Sequence, residues 1–195
     1  LVPAFLSKLA SKIAKMVAGW MAAGFVHGVL NTDNFNITGE SFDYGPWRFL
    51  PAMQPDFTAA YFDQQQRYAY GRQPEAALWA LCRLADCFKH VLDTEALGAA
   101  LGDYWPEVEA EIARAICWRL GVKADDNAVQ EITSQLFKAA GQSHIGWDQL
   151  FKDLYGGQLV PDAVSAHLWA EHSGLQALAA HTAKFPSRQK NQSAI

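Results

Sequence analysis

The stretch His27-Gly28-Val29-Leu30-Asn31-Thr32-Asp33-Asn34, followed closely by Asp43-Tyr44-Gly45-Pro46, decides how the rest of this 195-residue chain is read. It opens a region, His27 to about Tyr70, that is rich in Asn, Asp, Gly, Pro and aromatic residues and has no long helical period. A long irregular stretch in a compact domain is usually functional. Asn34 and Asp43 offer oxygen donors on either side of a short turn, a donor type that suits Mg²⁺ or Mn²⁺ rather than zinc. Magnesium keeps several waters and takes further ligands from substrate phosphates. One amide and one carboxylate therefore suit a metal bound to a nucleotide and make a poor cage for a metal alone. Asp33 adds a second carboxylate at the same turn, available as a base. Asp33-Asn34 alone would more commonly be a turn or a helix cap. A nucleotide–metal site shared with Asp43 stands beside that reading as the alternative.

The spacing is also that of the catalytic and metal loops of protein kinases, where H-R-D-x-x-x-x-N precedes D-F-G. His27 takes the His position, Asn34 the Asn position and Asp43-Tyr44-Gly45 the D-F-G position. The catalytic Asp position is occupied by Val29, which can neither accept a proton nor orient a hydroxyl. Ordinary phosphoryl transfer is thereby put in doubt. The nearest carboxylate, Asp33, stands four residues further on.

With that departure, the segment closely resembles selenoprotein O, a kinase-like family once regarded as pseudokinases. The family pattern H-G-V-M-N-T-D-N and D-Y-G-P-F is matched with Leu30 for Met and Trp47 for Phe. The resemblance continues through Phe62-Asp63, Arg67-Tyr68-Ala69-Tyr70, Gln73-Pro74, Leu78-Trp79 and Arg83-Leu84-Ala85, covering roughly residues 5 to 88. It implies an enzyme that binds ATP inverted relative to ordinary kinases and transfers AMP to Ser, Thr or Tyr hydroxyls of other proteins, releasing pyrophosphate. In that comparison Asp33 is the proton acceptor, Asn34 and Asp43 hold Mg²⁺ (or Mn²⁺), and Asp43 also approaches the ATP phosphates. The implied fold is mainly α, the C-terminal helical lobe of a protein-kinase-like fold with a short β-hairpin carrying the catalytic and metal loops. The Gly-rich loop, phosphate-binding Lys and Glu partner belong to an upstream β-rich N-lobe that these 195 residues lack. The chain is accordingly expected to be part of a longer enzyme and to be inactive alone. Two alternatives stay open: a phosphotransferase using the same metal site, and a non-catalytic pseudokinase scaffold.

Outward from the motif, the flanks read as helices. Leu6, Leu9, Ile13, Val17 and Trp20 recur at helical spacing opposite Lys8, Lys12 and Lys15, with Pro3 in the first turn and Gly24 as terminator. Short extended pieces are expected at 25–30 and 36–42, with a turn at Gly39-Glu40. Later helices are expected from Pro74 to about Phe88, from about Pro106 to Leu120, after an Asp125 or Asp126 cap up to Gly141, from Trp147 to Leu154, and from Pro161 through Leu178 as one element. The expected partition is 1–90 as the catalytic core of the lobe, 91–183 as its helical remainder and 184–195 as a flexible tail. His27 is assigned a structural role around the loop. Arg67 is assigned to a salt-bridged loop, with contact to phosphate or protein substrate as the alternative. The seven tryptophans are assigned to the core.

Composition narrows the partners. Half the residues are hydrophobic and the net charge is −4, so a sizeable core is available and no basic surplus favours nucleic acid. No apolar stretch reaches spanning length, so no membrane partner is expected. Cys82, Cys87 and Cys117 stand at no metal-ligand spacing and are read as reduced, buried or inert. His167, His172 and His181 share no helical face. Asn36-Ile37-Thr38 and Asn191-Gln192-Ser193 match the glycosylation sequon without other signs of secretion. Residues 1 to 32 are basic and acid-free, which is compatible with a transit peptide but better read as a helix of a longer protein. The expected location is the cytoplasm in a bacterium, or the mitochondrion in a eukaryote.

Overall fold

The structure, a computed structural model, describes residues 1–188. The sequon at Asn191 and most of the expected tail lie outside the described residues. Helices dominate, and the named strands form one two-stranded sheet. The chain divides into two compact units: Leu1–Phe49 with Gln54–Ile112, and Leu50–Met53 with the chain from Ala113 onward.

In the first unit α1 (Val2–Ala23) buries Leu6, Leu9, Ile13, Val17 and Met21 while Lys8, Lys12 and Lys15 stay in water. Gly24 adopts the left-handed conformation (φ 71°), and its N–H reaches back to the carbonyls of Met21 and Trp20, closing the helix. That turn delivers the chain into β1 (Phe25–Val26), which pairs antiparallel with β2 (Arg48–Phe49). Between the strands, Phe35 and Ser41 form a bridge around a tight turn. There Asn36 N–H donates to Glu40 C=O (2.8 Å), and Gly39 sits at φ 86°. Helix α2 (Gln73–Asp86) and helix α3 (Thr94–Leu101) pack on α1. Ser7 of α1 donates to the Ala100 carbonyl of α3 at 2.8 Å. The extended segments are shorter than expected, because the chain leaves β1 at His27 to enter the polar loop.

In the second unit the last part of α4 (Tyr104–Leu120) is followed by α5 (Asp126–Ser143), whose cap is Asp125, accepting from the N–H groups of Asn127 and Ala128. Gly141 does not end α5; the helix runs to Ser143 and closes at His144, which takes a left-handed φ of 54°. Helix α6 (Trp147–Asp153) is followed by a 3₁₀ turn, Tyr155–Gly157. The single helix expected from Pro161 is two, α7 (Ala166–Glu171) and α8 (Ser173–Thr182), broken where His172 turns to extended backbone. Helix α8 packs on α5. Buried Asp153 joins α6 to α7 by accepting from Trp169 Nε1 at 2.7 Å.

The tryptophan assignment needs correction. Trp147 and Trp169 are core, but Trp47, Trp79, Trp105 and Trp118 are exposed. Trp47 belongs to an aromatic group around β1 and β2, and Trp79 walls surface pockets, so their area is spent at the surface. The cysteines are free, and Cys87 is exposed rather than buried. Burial pushes the Cys117 thiol up to about 11.

Candidate active site

The loop after β1 is held in place by Gln73, a fully buried side chain at the start of α2. Its Oε1 accepts from the His27 N–H at 2.9 Å, and its Nε2 donates to the Phe25 carbonyl at 2.9 Å. One amide therefore continues the ladder of β1 on the side that β2 does not cover. Gly28 follows at φ 90°, and a Cβ there would stand 3.1 Å from the Ala59 Cβ and 3.4 Å from Pro46. The turn into the loop thus requires glycine both for its backbone and for its space.

His27 is completely buried. Its Nε2 lies 3.1 Å from the Ser41 hydroxyl, which itself donates to the Asn34 carbonyl at 2.7 Å. With that hydroxyl proton committed to Asn34, the ring donates through Nε2. Nδ1 then faces the Val29 N–H at 3.4 Å. Burial lowers the His27 pKa from its ordinary value, against a smaller opposing pull from the Phe42 backbone and the Asp43 charge. The ring is a neutral strut. Tyr44 lies over it at 5.1 Å and Trp20 at 5.6 Å on α1, so the Asp43-Tyr44-Gly45 motif is packed onto the first motif through this ring. The structural assignment of His27 agrees with these contacts.

Asn34 is buried at the end of a 3₁₀ turn, Thr32–Asn34. Its Nδ2 donates to the Val29 carbonyl at 2.8 Å, which fixes the amide plane. Its Oδ1 takes no hydrogen bond among the described residues, so a buried residue presents an unused, oriented oxygen. Asp33, one residue earlier, is exposed, and its carboxylate has no hydrogen-bond or ion-pair partner among the described residues. Asp43 is also exposed and adopts a left-handed φ of 55°, a conformation that Asp tolerates better than most residues. It lies close enough to His27 for its charge to act on the ring. Ser41 and His27 thus tie the segment bearing Asn34 to the segment bearing Asp43.

Among the described residues no group of three or more His, Cys, Asp and Glu is gathered so as to hold a metal. The set Asn34 and Asp43 is instead two hard oxygens, one of them pre-oriented and unpartnered, a set that fits magnesium only if phosphate oxygens and water complete the shell. Sequence reasoning missed Gln73 and Ser41 as the parts that hold this geometry. A buried Gln beginning a helix and a Ser in a polar loop carry no periodic or spacing signal of their own. Arg67 is not salt-bridged: its side chain is exposed with no partner among the described residues, and only its backbone is engaged, donating to Asp63.

A family model described as protein adenylyltransferase SelO matches residues 2–180. A relative from Synechocystis sp., named protein nucleotidyltransferase YdiU, is 41% identical over 157 residues, covering 77% of this chain and 33% of the relative. Relatives of the same name from Vibrio cholerae and Vibrio atlanticus are 36% and 32% identical, covering 77% and 87% of this chain and 31% and 37% of theirs. The chain spans about a third of the length of the curated relatives it matches.

Proposed function

Because the chain belongs to the protein adenylyltransferase SelO family, we propose that it carries the catalytic and metal loops of an enzyme that transfers AMP from ATP to Ser, Thr or Tyr hydroxyls of proteins. The observation that carries this is the pairing of Val29 with Asn34. Where a kinase loop has its hydroxyl-orienting carboxylate, this loop has the apolar Val29, whose backbone carbonyl accepts from the Asn34 amide. The free carboxylate, Asp33, stands beside that amide instead.

In this reading Asp33 accepts the proton as the substrate hydroxyl oxygen attacks the α-phosphorus. A new P–O bond forms to the hydroxyl oxygen, the bond to the β-phosphate bridging oxygen breaks, and pyrophosphate leaves with that electron pair. Asn34 Oδ1 and the Asp43 carboxylate would hold Mg²⁺, which when bound offsets negative charge on the phosphate chain. His27, Ser41 and Gln73 do no chemistry and keep the two oxygen donors in register. The kinase-like architecture, the ATP requirement and the protein substrate are parts of this proposal, supported by the family and by the loop geometry.

The test is label transfer in the full-length protein with Mg²⁺ present. Label from α-³²P-ATP should reach protein, label from γ-³²P-ATP should not, and pyrophosphate should appear in solution. Label arriving from the γ-position would favour the phosphotransferase. Arrival of neither would favour the scaffold.

A further inference from the structure

Beside the Asp33 turn lies a surface pocket of about 310 Å³, walled by Leu30, Asn31, Arg67, Tyr68, Arg72 and Trp79. Two of its lining residues, Leu30 and Asn31, belong to the candidate catalytic loop. Asn31 precedes the turn bearing Asp33 and Asn34, and its carbonyl accepts from the Asn34 N–H at 3.0 Å. Tyr68 Oη donates to Asn31 Oδ1 at 2.5 Å, fastening the pocket to that turn. The segment carrying Arg67 is itself fastened. Asp63 spends both carboxylate oxygens on the backbone, accepting from Arg67 N–H at 2.9 Å and Tyr68 N–H at 2.8 Å. No ion pair joins Asp63 to the Arg67 guanidinium, which is exposed and has no partner among the described residues. Among the described residues Arg72 has one partner, Glu75 at 3.3 Å, with both side chains at least half exposed. Such a pair is weak and easily exchanged. The pocket thus presents two guanidinium groups against one carboxylate in a chain whose net charge is −4.

We infer that this pocket takes an acidic side chain of the protein substrate, Asp or Glu, lying close in sequence to the acceptor hydroxyl, with Arg67 as the main contact. A guanidinium pairs with a carboxylate in a planar, two-pronged geometry that an ammonium cannot copy. The position, one residue from the turn that carries Asp33, places the recognised residue within a few residues of the reacting one. The inference rests on the reading of Asp33 as the acceptor of the hydroxyl proton, and it goes beyond that reading by naming what selects the hydroxyl.

The experiment uses the full-length protein and fluorescent peptides with a central Tyr, Ser or Thr, flanked by Ala and by a single Glu or a single Lys at each near position. Binding is read by fluorescence anisotropy, which needs no turnover. Glu-flanked peptides should bind the wild type about tenfold more tightly than Lys-flanked ones, the scale of one charge-assisted contact at a partly exposed site. In Arg67→Glu that preference should vanish or invert, and in Arg67→Lys it should shrink. Arg67 is exposed, so these variants are expected to fold, which unchanged melting would verify. Affinity for Mg-ATP, measured by calorimetry, should stay within about twofold in Arg67→Glu, far below the tenfold scale of a lost charged contact. No Glu preference in the wild type, or a preference that survives in Arg67→Glu, overturns the inference. A loss of ATP affinity in Arg67→Glu also overturns it, assigning the pocket to the triphosphate. If the peptide preference is as expected but no label moves from α-³²P-ATP, the adenylyl reading fails and the acidic-peptide pocket stands.

Discussion

Asn34 and Asp33 are neighbours in sequence and opposites in environment. Asn34 is buried with its Nδ2 anchored on Val29, while Asp33 is exposed without a partner among the described residues. Substitution should separate their roles. In the full-length protein Asn34→Ala and Asp43→Ala should each weaken Mg-ATP binding by tenfold or more, since each deletes one of only two protein oxygens and water replaces it in part. Asp33→Ala should bind Mg-ATP as the wild type does and lose at least about a hundredfold in turnover, as expected for a base that does not hold the metal. Calorimetry alongside single-turnover label transfer checks both; wild-type affinity in Asn34→Ala would sink the metal assignment.

His27 gives a second prediction, in pH. Its pKa is lowered by burial from 6.5. The unfolded chain therefore takes up the proton more readily than the folded one, and stability rises with pH between the two values. The contribution is complete above about 6.5 and is lost as the pH falls below it. Denaturant midpoints from pH 5 to 8 should decline on the acid side in the wild type, and that decline should be shallower in His27→Gln. Equal slopes would mean that the ring is not the buried neutral strut described above.

At the scale of elements, Gln73 is the joint between α2 and β1. Gln73→Ala would leave a buried N–H at His27 and a carbonyl at Phe25 unsatisfied, at a cost of about 1–3 kcal/mol per group. The expected result is a lower melting temperature together with lost transfer activity, whereas Arg72→Ala next door, at a half-exposed side chain, should leave the melting temperature nearly unchanged. The turn at Gly39 packs on α1, where Lys12 Nζ donates to the Thr38 carbonyl at 3.0 Å. A Cβ at Gly39 would come within 2.4 Å of the Lys12 Cβ at a φ of 86°. Gly39→Ala should therefore destabilise by more than about 1 kcal/mol, visible as a lower denaturation midpoint.

Much of this level was legible beforehand. The stripe of Leu6, Leu9, Ile13 and Val17, the Gly24 stop and the Asp125 cap are local signals, and each acts in the structure as local chemistry says it should. The break at His172 was passed over because Leu168, Leu175 and Leu178 keep a continuous apolar rhythm across it, although Ser173-Gly174 stands directly after it as a local turn signal. Helix α3 was passed over because half of Thr94–Leu101 is Ala and Gly, with only Leu97 and Leu101 buried to mark a face. In the candidate site, Asp33, Asn34 and Asp43 were singled out by residue type and spacing, and their proposed roles come from the family resemblance. Gln73 and Ser41 were not, since they act through contacts distant in sequence: Gln73 reaches His27 across 46 residues.

For the whole molecule, the described residues hold no helix long and apolar enough to cross a membrane. The exposed apolar surface beside the site is a more telling feature. Phe42, Tyr44, Trp47 and Phe49 are each about half exposed, and Trp47 and Phe49 pack on Phe25 of β1. A surface this aromatic next to candidate catalytic residues is unusual for a face left in water. With the chain covering about a third of its relatives, residues 1–195 alone are predicted to show no measurable AMP transfer, to bind a hydrophobic dye and to self-associate in light scattering. Robust turnover by residues 1–195 would overturn that prediction.

The left-handed backbone at Asp43 sets heat tolerance against activity at one position. Glycine is at ease where a carboxylate-bearing residue is held with some strain. Asp43→Gly should accordingly melt no earlier than the parent protein while losing the oxygen proposed to hold the metal. A screen that rewarded survival on heating and nothing else would drift toward that glycine, and a lineage kept under selection for transfer would have to carry the strain.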